Sequence, residues 1–391
     1  DNQYVEVFGI NYKNTALIQH TSTLVFTCLA ILIPILSGIA DHKKNKVSFL
    51  KFFCYLGSFC CIGLYFFTIE NIYLGLFFYF FALFSFWASL VFYNSYLPEI
   101  AFPHQQDRIS ALGFSYGYVG SVLLLLINLL MVLFPSTFGF EDTIEPMKIS
   151  FVMVGLWWAG FSQYTFHYLP KNQIQFPQKD ILKKSILFGG FYELKNVWKL
   201  IRKQESIKKF LLAFFVFSCA LQTIILIATY FGEQEIIWRE GEKQIGLIIS
   251  TLLIQLIAII GAIYTAKLSE KIGNIQTLIF LNIFWFILCV GGYFIKYSYE
   301  FYVVAAFVGL VMGGIQALSR STYSKLIPVT ENTCSYFSFY QMCMILSISL
   351  GTFMSGIVDQ LTGSLRNSII IFAVIFIFGA ILLKDIKMKK L

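Results

Sequence analysis

Charge is scarce in this sequence: Asp, Glu, Lys and Arg make up 13% of its 391 residues, against about 25% in an ordinary water-soluble domain. With 58% hydrophobic and 18% aromatic residues and a mean hydropathy of +0.73, that scarcity excludes a soluble enzyme, a disordered chain and a nucleic-acid binder. Cysteine motifs are missing too. The eight cysteines (28, 54, 60, 61, 219, 289, 334 and 343) form no CxxC pair and sit mostly inside apolar runs, as small core residues do. The four histidines (20, 42, 104 and 167) show no metal-ligand spacing, and none pairs with a Ser or Cys nucleophile in a recognisable motif. No catalytic residue, metal site or cofactor is therefore expected. The short alternating segments of an outer-membrane barrel are absent as well.

What is present is a series of apolar runs, each about the 20 residues that a membrane-spanning helix needs. Eleven are read: 15–40, 50–68, 72–95, 114–134, 149–169, 210–231, 245–266, 277–294, 301–318, 337–358 and 369–383. In lipid the backbone polar groups must be satisfied within each helix, so the expected fold class is an all-α polytopic membrane protein. Counting Lys and Arg by alternate loops puts 23 on one side and 6 on the other, while the acids split 9 and 12. The inside-positive rule makes the first side cytoplasmic and places the C-terminus there. The net charge of +8 is thus a topology signal and calls for no anionic partner.

Two landmarks recur along the chain. Ser37-Gly-Ile-Ala-Asp41-His-Lys43-Lys44-Asn-Lys46 and Ala266-Lys-Leu-Ser269-Glu270-Lys271-Ile-Gly273-Asn274 each put a small residue, an acid and a base at a helix end, their acids 229 residues apart. Tyr96-Leu-Pro98 and Leu326-Ile-Pro328 repeat at an offset of 230. A common offset indicates a duplicated half. The second half opens near Lys209, so its counterpart is expected to open about one helix upstream of Asp1. The expected architecture is two six-helix pseudo-repeats with the first helix missing. Residues 1–169 form an N-terminal bundle, 170–208 a basic cytoplasmic central loop and 209–391 a C-terminal six-helix bundle. Within the loop, apolar residues at 194, 197, 198 and 201 with a basic opposite face predict an interfacial helix.

This organisation resembles the major facilitator superfamily, whose acid–base turn is fitted well by Lys267–Asn274 and in part by the copy at Asp41, which has Lys44 where the second Gly belongs. Three further stretches are more specific: Leu97-Pro-Glu-Ile-Ala101, Asp107-Arg108-Ile-Ser110-Ala-Leu-Gly113-Phe-Ser-Tyr-Gly117-Tyr-Val-Gly120-Ser121, and Gly313-Gly314-Ile-Gln316-Ala-Leu-Ser319-Arg320-Ser321. They resemble the branch holding the autophagy-related vacuolar amino-acid effluxer and its bacterial relatives. The resemblance covers essentially the whole chain. It implies secondary transport of small molecules with amino acids favoured, and a bacterial inner membrane as the location.

No Asp, Glu, Lys or Arg lies in the middle of any run, where a charge costs at least about 2.5–3.5 kcal/mol. Neutral polar residues are therefore the candidates for binding solute, led by Asn94, Gln222, Gln316, Tyr340 and Gln341, because amides both donate and accept. Asn128, Thr223 and Gln255 are further polar positions within spans, and interhelical hydrogen bonding is the alternative role for all of them. Candidate conformational latches are Asp41, Lys43, Asp107, Arg108, Glu270, Lys271 and Arg320, at the ends of helices, whereas Lys46 and Lys51 read as plain inside-positive charges. Gly113, Gly117 and Gly120 share one helix face, and Gly309 with Gly313 repeats the GxxxG spacing of close helix packing. The expected partners are a small-molecule solute, a coupling proton or cation, and the lipid bilayer, with no nucleic acid. The leading reading is a carrier. A transporter-like solute sensor and a membrane-embedded lipid-modifying enzyme are the alternatives.

Overall fold

The computed structural model describes residues 4–7, 10–170 and 186–388. Two short strands, β1 (Tyr4–Val7) and β2 (Ile10–Lys13), pair antiparallel ahead of the first helix. Most of the rest is helical, and each apolar run lies wholly or mainly within a helix, the run 50–68 continuing past its helix through a 3-10 turn at Leu64–Phe66. In chain order these are α1 (Asn14–His42), α2 (Lys46–Gly63), α3 (Ile72–Asn94), α4 (Leu97–Ile100), α5 (Gln106–Leu133), α6 (Ile144–Tyr168), α7 (Ile186–Lys203), α8 (Glu205–Glu235), α9 (Lys243–Ile272), α10 (Asn274–Phe294), α11 (Ser298–Leu326), α12 (Thr333–Thr362) and α13 (Leu365–Leu383). Ten of the described helices are long and apolar enough to cross a membrane, making this an integral multi-pass protein. The eleventh expected run falls in α6. That helix is 25 residues long, but Ser162, Gln163, Thr165 and His167 dilute its apolar character.

The helices overrun the apolar runs. α5 begins eight residues before Phe114 and α11 continues eight beyond Leu318. An apolar run marks only the hydrocarbon-facing stretch, whereas backbone hydrogen bonding carries the helix on into polar surroundings. Asp107, Ser110, Arg320 and Lys325 consequently sit on helices, beyond the ends of the apolar runs. Local chemistry sets the breaks. Asn45 caps α2 by accepting from the Ser48 N–H, Ser364 caps α13, and Gly273 (φ +88°) separates α9 from α10. Lys44 occupies the α1–α2 turn with φ +51°, a left-handed conformation that a side chain disfavours.

Packing divides the chain into two compact units, which do not follow chain order. One comprises Asp1–Ser95, Leu124–Val197 and Glu331–Phe339. It holds α1–α3, α6, most of α7 and the opening of α12. Phe49 and Phe53 stack on Phe92 between α2 and α3, and Phe26 meets Trp87 edge-on between α1 and α3. α7 lies against α1 where Gly38 meets the Gly190 backbone, and Val197 is buried.

The other unit comprises Tyr96–Leu123, Trp198–Thr330 and Tyr340–Leu391. Its tightest seam joins α9 and α11. Gly309 faces the Ile254 carbonyl, Gly313 that of Ala258, and Gly261 that of Leu310, leaving no room for a Cβ at any of the three. Small residues let the two backbones touch, the way helices associate where lipid removes the hydrophobic drive. Gly117 is different: it is exposed, and a Cβ there would meet nothing within 4 Å among the described residues, so no close helix packing is seen at it. Gly113 and Gly120 are half-buried. At one end of this unit Arg366 ties three helices together, donating to Glu235 Oε2 (2.8 Å), to the Tyr293 carbonyl (2.9 Å) and to the Glu235 carbonyl (2.6 Å).

Candidate functional site

Asp41 closes the last turn of α1 and is buried. Its carboxylate accepts from the backbone N–H groups of Cys334 (3.2 Å) and Ser335 (2.7 Å) in the first turn of α12. The first four N–H groups of a helix have no partner inside it, and the helix dipole is positive there, so a carboxylate from another helix is a strong cap. Beside it Lys46, only 1% exposed, donates to the Ser95 carbonyl and to Thr333 Oγ1, both at 3.4 Å. The Cys334 thiol lies 3.3 Å from Ser95 Oγ. A more exposed ion pair, Lys44–Glu331 at 2.9 Å, flanks the cluster. The base built into it is therefore Lys46. Lys43, the base expected from the turn, is exposed, and its side chain has no hydrogen bond or ion pair among the described residues. A charged amine is retained in the interior only with partners, so Lys46 is a structural element of the cluster.

A second cluster lies wholly within the other unit, along the N-terminal half of α5. Asp107 makes an ion pair with Lys325 at 2.6 Å, with both side chains at most 7% exposed. It also accepts from Asn274 Nδ2 (2.8 Å) and Ser269 Oγ (3.1 Å), and Lys325 donates to Asn274 Oδ1 (3.1 Å). One turn along, Arg320 is buried, donating to Ser110 Oγ (3.0 Å) and the Ser110 carbonyl (2.9 Å) with its guanidinium 4.7 Å above the Phe114 ring. One turn further, Tyr118 OH donates to Gln316 Oε1 at 2.9 Å. Asp107, Ser110, Phe114 and Tyr118 follow the three-to-four spacing of one α5 face, and all meet α11 or its neighbours. Arg108 is exposed, its side chain without a hydrogen bond or ion pair among the described residues, because it points off that face. Glu270 and Lys271 are exposed in the same way, and the flanking Ser269 and Asn274 make the contacts instead.

The candidates for solute are unevenly distributed. Gln316 is half-buried; its oxygen is engaged by Tyr118, and its amide nitrogen makes no hydrogen bond among the described residues. Tyr340 is buried, with Phe214 stacked on it at 4.2 Å and Tyr323 at 5.2 Å. Gln341, next along α12, is fully buried, and neither amide atom is hydrogen-bonded among the described residues. Gln222 of α8 donates to the Met344 sulfur at 3.6 Å. All four lie in the second unit, together with Arg320. Asn94 is buried at the end of α3 in the first. No group of three or more His, Cys, Asp or Glu side chains able to hold a metal occurs among the described residues.

Several of these contacts involve residues that the sequence did not single out: Lys46, Ser110, Tyr118, Ser269, Asn274 and Lys325. Asn274 and Ser269 lie in the repeated turn, and Lys325 directly precedes the Leu326-Ile-Pro328 landmark, so position offered a signal that residue type did not.

Comparison with known proteins gives a consistent outcome. The family described as "Vacuole effluxer Atg22 like" matches residues 1–390. The chain is 28% identical over 375 residues to the "Uncharacterized MFS-type transporter YxiO" of Bacillus subtilis, covering 95% of this chain and 84% of the relative. It is 26% identical over 425 residues to the "Autophagy-related protein 22" of Pichia angusta, covering 95% and 74%. Among solved structures it resembles the major facilitator transporter FucP in the outward conformation, with a TM-score of 0.72 at 16% identity over 98% of this chain and 92% of that one. It also resembles the proton:xylose symporter XylE, with a TM-score of 0.70 at 12% identity over 96% and 87%. At such identities the likeness to solved structures shows the fold alone.

Proposed function

Because this chain belongs to the Atg22-like vacuole effluxer family, within the transporters of the major facilitator superfamily, we propose that it is a secondary active carrier of small polar solutes, amino acids favoured, working by alternating access. The proposal places it in a bacterial inner membrane with the C-terminus cytoplasmic, a reading supported by the excess of Lys and Arg on one set of loops and by the likeness to a Bacillus protein. The observation that carries the solute class is Gln316. Its carbonyl oxygen is fixed by Tyr118, which leaves the amide N–H groups to donate to a carboxylate or carbonyl. Gln222, Tyr340, Gln341 and Asn94 are the further residues proposed to contact solute.

Alternating access needs contacts that hold in one state and release in the other. Asp41 on the α12 N-terminus and Asp107 on Lys325 have the required character: short, charged contacts between residues 294 and 218 positions apart in sequence. Arg320 on Ser110 belongs with them as a proposed latch. A coupling proton or cation is part of the proposal, since the carrier must draw on a gradient.

Counterflow in proteoliposomes tests this reading, using the full chain, a panel of labelled amino acids and sugars, and trials with and without a pH gradient. Amino-acid exchange that Gln316→Ala weakens through KM supports it. Exchange of sugars alone overturns the solute class. Binding without exchange replaces the carrier by a solute sensor.

A further inference from the structure

The segment expected to form an interfacial helix lies in α7, and its apolar residues fall on two different sides. Gly190, Val197 and Ile201 are buried against the protein, with Leu194 half-buried between them. These residues are spent on packing and do not reach lipid. Trp198, which the sequence groups with them, is 47% exposed, and Phe191 is 58% exposed. At about 100° per residue, Phe191, Lys195, Trp198 and Arg202 line up as i, i+4, i+7 and i+11, one exposed stripe flanking the packed side. Lys199 and Lys203, also exposed, extend it outward. The helix has a single acid, Glu193, which lies on the other flank and accepts from Asn332 Nδ2 at 3.2 Å. Two aromatic rings and four cations therefore share a flank that carries no acid.

The depth of α7 follows from what it touches. At Gly190 it meets the backbone of α1 at Gly38, one turn or about 6 Å short of the end of that helix. The α1 span, Leu17–His42, has 26 residues and a length of about 39 Å, against about 30 Å of hydrocarbon. Its ends therefore reach into the headgroup layer, and α7 lies against one of them. Two residues beyond Lys203, α8 begins at Glu205, so the far end of α7 is fastened to a second spanning helix. We infer that the Phe191–Lys195–Trp198–Arg202 stripe is a docking surface for anionic phospholipid. Aromatic rings settle at headgroup depth, and Lys and Arg lay their stems along apolar surface while their charges reach the phosphates. Charge complementarity names the partner, because four cations against one engaged acid favour an anionic headgroup over a zwitterionic one. The surface is separate from the residues proposed to contact solute, and it holds whatever solute the protein carries.

The test is quenching of Trp198 fluorescence, taken as the difference between the full chain and its Trp198→Phe variant. Both are placed in nanodiscs of phosphatidylglycerol and phosphatidylcholine in equal parts, with one lipid or the other brominated on the chain carbons nearest the headgroup. Brominated phosphatidylglycerol should quench Trp198 as though bound about fivefold more tightly than brominated phosphatidylcholine, the worth of one cation beside an anionic surface. Lys195→Gln together with Arg202→Gln should bring the two lipids to equal quenching, and salt at about 0.5 M should do the same. Leu200→Gln, on the other flank and equally exposed, should leave the preference intact. No quenching of Trp198 by either lipid would mean that the stripe faces water or a protein partner, and would overturn the docking surface. Equal quenching by both lipids in the unaltered protein, or a preference that survives in the double variant, would overturn the assignment of an anionic headgroup to this stripe.

Discussion

The Asp107–Lys325 pair offers a measurable test of whether the contacts along α5 are strong. Both side chains are almost fully buried and 2.6 Å apart. Removing one partner of such a pair leaves the other charge uncompensated, at a cost of about 3–5 kcal/mol. The structure also predicts an order. In Lys325→Ala, Asp107 keeps the donors Asn274 Nδ2 and Ser269 Oγ, so the loss falls at the lower end of that range. In Asp107→Ala, Lys325 keeps only Asn274 Oδ1 among the described residues, so the loss falls at the upper end. The double variant removes both charges and should cost far less than the sum, giving a coupling energy of about 2 kcal/mol or more. Reversible denaturation of the four proteins in mixed micelles measures this cycle. Single variants whose effects add to within about 0.5 kcal/mol would refute the reasoning, because the pair would then behave as a solvated surface pair.

Other perturbations separate the remaining elements. Asp41→Asn keeps one acceptor for the α12 N–H groups but loses the charge on the helix dipole, costing about 1–2 kcal/mol; solute exchange by counterflow should slow severalfold while membrane insertion, followed by fractionation, is unchanged. Lys44→Gly relieves a left-handed side chain, worth about 1–2 kcal/mol, and forfeits a partly exposed ion pair with Glu331 worth about 0–1 kcal/mol, so the melting temperature should rise or hold, and a clear fall would contradict it. Gly313→Leu forces a side chain into the Ala258 backbone and should destabilise by about 1–3 kcal/mol or more, whereas Gly117→Ala, with open space around it, should leave stability unchanged or raise it by up to about 1 kcal/mol in the same unfolding assay.

The membrane-spanning helices were legible because a long apolar run can do little else in lipid. Their ends were less so, since hydropathy reports where hydrocarbon stops and says nothing of where backbone hydrogen bonding stops. That gap hid the second cluster: Asp107, Ser110, Arg320 and Lys325 lie on the extensions of α5 and α11. Lys46 was misread for a related reason. A lysine beside a helix end is ordinarily a solvated inside-positive charge, and only tertiary packing over Lys46, beside an exposed Asn45, makes it a buried donor. The β1–β2 pair carries no apolar run to announce it.

The repeat explains the most instructive mismatch. Gly273 and Lys44 stand 229 residues apart, the offset that separates Glu270 from Asp41, and both take a positive φ. The two turns therefore share a backbone feature, yet their chemistry is exchanged. At the first, the turn supplies the acid, Asp41, and the start of α12 supplies N–H donors. At the second, the start of α5 supplies the acid, Asp107, and residues beside the turn, Ser269 and Asn274, supply the donors. A carboxylate beside a helix start is favourable from either side, because Asp in the first turn and an acid reaching in from another helix meet the same positive end of the dipole. Duplication can thus preserve the contact while the acid migrates across it. A motif search follows the acid in the turn and arrives at the exposed Glu270, whereas the physical constraint, one carboxylate at each helix start, leads to Asp107.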